Sequence, residues 1–382
     1  MTVPAEPEAI LSPRSEIPPA ASPLSAPLHH VTPLLFSPSL SARTGHNIYL
    51  KLDIDQPSGS FKLRGVGAIC QSALAASGDT HLVSSSGGNA GLAVAYAASR
   101  AGVGCTIFVP ASTETDVVER LRKEGARVVI GGDAWDVADA AAREEVRETG
   151  GTYVHPFEGE VLVNGHSSVV DEIYDQMPEG ERVDVLVSSV GGGGLLRGII
   201  QGVTRQGGKK PVLVGVQNFG VDSFNRSLDQ WSACGEEGVV TLERIESKCT
   251  SMGTKKCSAA TLRDAIEFQK DGGRLVSLTV TDELSASACW QFAEEKLPDG
   301  RKRMVELSCA SALTTVYHPW VLERVLDGLE GEKGRKLNVV IEVCGGSKVN
   351  QAMLKEYKEK NGKMEGRDRI RVNGVDFPAS SA

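Results

Sequence analysis

Val183-Asp184-Val185-Leu186-Val187-Ser188-Ser189-Val190 runs straight into Gly191-Gly192-Gly193-Gly194 and on into Leu195-Leu196-Arg197-Gly198. The first eight residues are mostly β-branched or apolar, as in a strand buried on both faces. Four glycines let a backbone turn tightly and approach a ligand closely. The following stretch, 195–205, has helical spacing. A strand that passes through a glycine turn into a helix is the unit of an open α/β sheet, which binds ligands beyond the carboxyl ends of its strands. Consecutive N–H groups at such a helix start form an anion nest. The dinucleotide fingerprint G-x-G-x-x-G fails here, because its third glycine falls on Leu196 or on Arg197. The pattern G-x-x-x-x-G-K-[ST] is missing too. The turn therefore reads as a cradle for one phosphate; the plainer reading is a glycine turn that serves packing alone.

The same alternation extends in both directions. Strand-like runs fall at 47–52, 81–85, 105–109, 127–130, 183–188, 212–216, 275–280 and 337–343. Helical spacing falls at 90–101, 117–124, 134–148, 195–205, 310–329 and 348–359. Near-continuous apolar strands alternating with helices predict an α/β fold with two open, mostly parallel sheets covered by helices on both faces. The 382 residues suffice for two domains.

Residues 1–27 are rich in Pro, Ala and Ser and read as a disordered extension; residues 371–382 read as a tail. The formal net charge is −8 and no basic stripe interleaves with aromatics, which excludes a nucleic-acid partner. No apolar run approaches the ~20 residues that span a bilayer, and no basic-then-apolar leader opens the chain, so a cytoplasmic protein is expected. Eight cysteines lie scattered without any C-x-x-C pair, and they read as reduced, mostly buried thiols.

Three further segments carry chemistry at strand ends. In Ser84-Ser85-Ser86-Gly87-Gly88-Asn89-Ala90-Gly91, hydroxyls, an amide and a helix start converge and can hold a carboxylate or phenolate, or else form an ordinary cap and turn. In Pro57-Ser58-Gly59-Ser60-Phe61-Lys62-Leu63-Arg64-Gly65, the lysine follows a turn and an aromatic residue. A lone lysine is usually a solvated group, whereas one held in a partly desolvated site becomes an imine-forming nucleophile or a base. Val343-Cys344-Gly345-Gly346-Ser347 ends the last strong strand with a thiol, which reads either as a ring-nitrogen partner or as a buried structural cysteine.

Taken together and in this order, P-S-G-S-F-K-x-R-G, S-S-x-G-N-A-G, S-x-G-G-G-G-L and V-C-G-G-S resemble the serine/threonine dehydratases, pyridoxal-phosphate enzymes of the tryptophan-synthase β type (fold type II). The resemblance spans residues 28 to 355. It implies the cofactor pyridoxal 5'-phosphate in a cleft between two domains, with Lys62 as the Schiff-base lysine and catalytic base and Phe61 packed on the ring. Asn89 would meet the phenolic oxygen, and Gly191, Gly192, Gly193, Gly194 and Leu195 would cradle the phosphate. Cys344 would face the ring nitrogen, while Ser86, Gly87, Gly88 and Ala90 would meet the substrate carboxylate.

The implied reaction is β-elimination of L-serine or L-threonine to pyruvate or 2-oxobutyrate plus ammonia, in amino-acid catabolism. The alternatives are a relative acting on another β-substituted amino acid and a non-catalytic cofactor-binding protein. Serine racemases carry a serine two positions before the motif's Asn; here Gly87 stands there and disfavours racemisation. Only 38 residues follow Cys344, short of a regulatory domain, which points to a catabolic type. The family's acidic residue at a monovalent-cation site is Gln217 in this chain, so a possible cation requirement is left open. Leu307 and Ala310 replace the Pro and Gly of V-E-P-x-C-G-A, which reshapes one wall and favours a substrate other than plain L-serine. The implied layout is a large domain of residues 28–57 plus 159–370 and a small domain of 58–158, in a homodimer.

Overall fold

The structure is a computed structural model that describes residues 26–78, 80–132, 135–327, 335–362 and 368–378. The expected extension at 1–27 lies outside them apart from Ala26 and Pro27. Strands β1 (Leu34–Phe36), β2 (Asn47–Lys51), β3 (His81–Ser84), β4 (Gly104–Val109), β5 (Arg127–Ile130) and β6 (Thr152–Tyr153) precede the glycine run. Strands β7 (Val185–Ser189), β8 (Val212–Asn218), β9 (Arg274–Val280), β10 (Asn338–Glu342), β11 (Arg369–Val372) and β12 (Val375–Pro378) make up the rest. They form an eight-stranded sheet in the order β1-β2-β10-β7-β8-β9-β11-β12 and a four-stranded sheet in the order β5-β4-β3-β6. Pairing is parallel throughout the small sheet and from β2 to β9 in the large one; the outer pairs are antiparallel. The expected α/β class and mostly parallel sheets are therefore found.

The helices are α1 (Pro38–Thr44), α2 (Lys62–Ser77), α3 (Asn89–Ala101), α4 (Thr115–Lys123), α5 (Trp135–Thr149), α6 (Glu160–Gln176) and α7 (Gly194–Gln206). They continue with α8 (Ser223–Cys234), α9 (Ala259–Lys270), α10 (Asp282–Glu294), α11 (Leu307–Tyr317), α12 (Pro319–Leu326) and α13 (Gln351–Asn361). The central strands of the large sheet are buried on both faces: every residue of β7 and β10 is buried, as their apolar runs require.

Two expectations need correction. The single helix expected over 310–329 is broken at His318, because Pro319 has no N–H for the helix ladder and its ring clashes with the preceding turn. The tail expected from residue 371 is instead a hairpin. Asn373 (φ 48°) and Gly374 (φ 79°) make the tight turn that Asn-Gly favours, and β11 pairs with β9, burying Ile370. Residues 379–382 lie outside the described part.

Each sheet has its own core. Ile48, Leu186, Val214 and Ile341 belong to the large one, while Leu63, Val94 and Ile107 belong to the small one. Helix α2 joins them. Its first turn carries Arg64, fully buried, which grips Asp53 through two bonds of 2.6 Å and Glu172 of α6 through bonds of 2.6 and 2.8 Å. Lys51 reaches the same Glu172 at 2.6 Å. Removing one member would strand a buried charge, at a cost of about 3–5 kcal/mol. The network fixes where α2 begins, and hence where Lys62 sits.

Candidate active site

Lys62 opens α2, and the loop before it is sewn to the end of β10. Phe61 N donates to the Cys344 carbonyl at 3.0 Å, Gly346 N donates to the Gly59 carbonyl at 2.8 Å, and Ser60 bridges Gly345. Gly345 (φ +83°) has no room for a side chain, since a Cβ would lie 2.4 Å from the Gly59 carbonyl oxygen. The Lys62 amine donates to the Pro156 carbonyl at 2.6 Å and lies over the Phe61 ring. Burial draws its pKa down to about 8, partly opposed by Cys344 and Glu306. An amine so tuned is neutral in an appreciable fraction near physiological pH, as a nucleophile or base must be.

All the candidate residues from the four segments line one cavity of about 830 Å³: Phe61 and Lys62, Ser86 to Ala90, Gly191 to Leu195, and Cys344. The glycine run turns from β7 into α7, and its cap residue Gly193 (φ +102°) uses no side chain to satisfy the helix start. A Cβ at Gly192 would strike the Phe157 ring at 2.3 Å, one at Gly193 would meet Thr261 at 2.1 Å, and one at Gly194 the Phe157 carbonyl at 2.7 Å. Beside the run, the buried Ser189 hydroxyl has no partner. The result is a bare helix N-terminus with an unpaired hydroxyl next to it, facing the cavity that holds the amine.

On the opposite wall, Gly88 N donates to Ser86 Oγ at 3.3 Å. A Cβ at Gly87 would touch Thr113 and Val109, both at 3.2 Å, so the space beside Gly87 is taken by those side chains, which belong to β4 and the loop after it. Asn89 opens α3. Its Nδ2 donates to Glu306 Oε1 at 3.0 Å, and its Oδ1 accepts from Ser347 N and Oγ, both at 3.1 Å. One amide N–H remains for a ligand. Cys344 is buried against Cys309, and this contact together with burial pushes its thiol well above the usual range, so it stays protonated.

The substituted positions are also accounted for. Gln217 is buried, with Nε2 donating to the Val190 carbonyl and Oε1 accepting from Asn225 N, both at 2.9 Å. Leu307 packs with Val221, Met252 and Ala286 behind the wall, and Ala310 is fully enclosed. Sequence reasoning gave no task to Ser189, Pro156, Phe157 or Glu306. Glu306 and Ser189 stood within quoted motifs, Ser189 as the serine of S-x-G-G-G-G-L; for Pro156 and Phe157 no local signal distinguishes them from ordinary chain.

A family model described as pyridoxal-phosphate dependent enzyme matches residues 26–365. The chain belongs to that family. Its cofactor is pyridoxal phosphate. The chain is similar to the mouse protein named L-serine dehydratase/L-threonine deaminase, at 37% identity over 333 residues, covering 87% of this chain and 95% of that protein. A yeast (Saccharomyces cerevisiae) protein named L-serine dehydratase is 37% identical over 332 residues, covering 83% and 93%. Among solved structures, a fungal L-serine ammonia-lyase from Rhizomucor miehei superposes with a TM-score of 0.76 at 32% identity, covering 88% of this chain and all of the other.

The residues present fit this cofactor. An uncapped helix start with side-chain-free walls suits a phosphate, the lone Ser189 hydroxyl adds a donor, and Lys62 supplies the amine for covalent attachment. All eight cysteines are free, and all but Cys234 are buried. Among the described residues no helix is long and apolar enough to cross a membrane.

Proposed function

We propose that this enzyme carries out β-elimination on L-serine and/or L-threonine, giving pyruvate or 2-oxobutyrate plus ammonia. The observation that carries this reading is the enclosed Lys62 amine, drawn to about 8, sharing one cavity with the uncapped glycine turn. The names of the mouse, yeast and fungal relatives point the same way.

When bound, the cofactor supplies an electron sink for the pair left at Cα. The chain's own residues do the rest. The N–H groups of Gly191 to Leu195 would hold the phosphate, Phe61 would support the ring, and Asn89 would donate to the ring oxygen. The Cys344 thiol, held neutral, would be a weak partner for the ring nitrogen. Ser86 to Ala90 bind the substrate carboxylate at the start of α3. Lys62 would take the α-proton, and return of that proton to the β-hydroxyl would let it leave as water. The released enamine tautomerises and takes water back, giving the 2-oxoacid and ammonia. Gly87 presents no hydroxyl to the second face of Cα, which argues against racemisation.

The proposed working unit is a cytoplasmic homodimer, each copy divided into residues 28–57 with 159–370 and residues 58–158. In support of that division, the small sheet lies wholly within 81–153. Closure of the smaller part would exclude water from the cavity.

The test is 2-oxoacid release from L-serine and L-threonine by cofactor-loaded protein. Release should fall by roughly 10³-fold or more in Lys62→Ala. No 2-oxoacid from either amino acid would sink the assignment.

A further inference from the structure

Glu306 has no task in the chemistry above, yet it is the buried acid of the cavity wall: of the described carboxylates that line the cavity, Glu114 and Asp136 are exposed and Glu306 is 4% exposed. It occupies the cap position of α11 without capping it. The N–H groups of Cys309 and Ala310 turn to its backbone carbonyl at 3.0 Å, while its carboxylate bonds to none of that helix's N–H groups. An acid at a helix start normally serves there; this one is turned away.

The carboxylate goes instead to the opposite wall. Oε1 accepts from Asn89 Nδ2 at 3.0 Å, and Oε2 accepts from Lys348 N at 3.3 Å. Room is made for it by Gly346 (φ +118°), where a Cβ would fall 2.1 Å from the Glu306 carboxyl carbon. The second glycine of the V-C-G-G-S segment thus admits this carboxylate as well as turning the chain. Ser347 completes the arrangement by placing two donors on Asn89 Oδ1. With its oxygen and one N–H held, the Asn89 amide has one orientation and one N–H left.

We propose that Glu306 is a positioning residue for the cofactor: it fixes the Asn89 amide so that the free N–H meets the ring oxygen, and its charge favours the protonated state of the nitrogen that Lys62 contributes. The proposal rests on the pyridoxal-phosphate reading above. Both carboxylate oxygens accept N–H bonds, the pattern of an ionised acid. Burial raises its carboxyl above the usual carboxylate range, and bonds from Asn89, Ser251 and Lys348 oppose that rise without cancelling it. The titratable groups that face it are Lys62 of α2, Lys348 and Cys344 around the glycine pair, and Cys289 of α10.

The experiment compares wild-type holoenzyme with Glu306→Gln and Glu306→Asp. Two readouts are taken with pyridoxal phosphate alone: the pH titration of the cofactor's visible absorbance and the cofactor dissociation constant. Glutamine keeps the shape and an acceptor but removes the charge. Its titration midpoint should therefore move to lower pH, by about one unit, while aspartate stays nearer to wild type. In turnover, kcat should fall about tenfold in Glu306→Gln with KM changed less than twofold. A midpoint and absorbance maximum in Glu306→Gln identical to wild type would overturn the proposal. Should that variant fail to fold, Ser347→Ala removes one of the two donors on Asn89 Oδ1; its absorbance maximum should shift, and an unshifted maximum there overturns the proposal equally. A wild-type protein that takes up no cofactor sinks the underlying functional reading instead, which separates the two failures.

Discussion

The turn after β7 and the turn after β3 share one build, strand to glycines to helix, but their glycines have very different room. At Gly192, Gly193 and Gly194 a Cβ would lie within 2.1–2.7 Å of Phe157 or Thr261 atoms, and Gly193 needs a positive φ. At Gly88 the nearest atoms stand 3.9 Å away, and its φ of −103° suits any residue. The first turn is walled in and can grip a fixed group. The second is open at Gly88 while Thr113 and Val109 close in on Gly87, so it leaves room on one side, as a surface would that admitted and released a substrate. Similar motifs have thus been set to different work by what packs behind them.

The largest effect that sharpens this contrast is expected from Gly193→Ala. A positive φ and a 2.1 Å clash together should cost about 1–3 kcal/mol of local strain. Cofactor retained after dialysis should drop at least tenfold; retention equal to wild type would break the comparison. Next comes cofactor uptake by the apoprotein. Attachment needs the neutral Lys62 amine, whose pKa lies near 8. Below that value the proton occupies the amine, so the uptake rate should rise about tenfold per pH unit and level off above 8. A flat rate between pH 6 and 9 would mean that the amine is not tuned as its burial implies.

A smaller change is expected in Gly88→Ala. Cofactor retention should match wild type while KM for L-serine rises about three- to fivefold, because the added methyl meets only the substrate's side of the cavity. The smallest effect concerns Gln217, beneath the rigid turn. Its amide already donates to the carbonyl of Val190, just before the glycines. Exchanging potassium for a bulky organic cation in the assay should change kcat less than twofold, and a tenfold loss would show that this floor still needs a metal ion.

Much of the fold was legible because period and composition are local. Runs such as 127–130 and 105–109 returned as strands with the same or nearly the same ends. The departures have local causes that were also written in the chain: Pro319 splits a helix, and Asn373-Gly374 folds a hairpin where a polar composition read as a tail. The site was legible at its glycines, at Lys62 and at Asn89. Phe157 carried no signal, and Ser189 none beyond its place in S-x-G-G-G-G-L, since one aromatic ring and one hydroxyl acquire meaning only from what they stand against.

By itself, then, the sequence determined the strand–turn–helix units, the glycine cradle and the lysine, because backbone freedom and hydrophobic period act over a few residues. Tertiary structure alone decided the state of those groups. Lys62 is drawn to about 8 by burial that requires both sheets, and Glu306 meets Asn89 across 217 positions of chain. Gly346 is shaped around a carboxylate that its own segment does not contain. Desolvation and long-range hydrogen bonds depend on which surfaces dock, and no local pattern of residues encodes that distance.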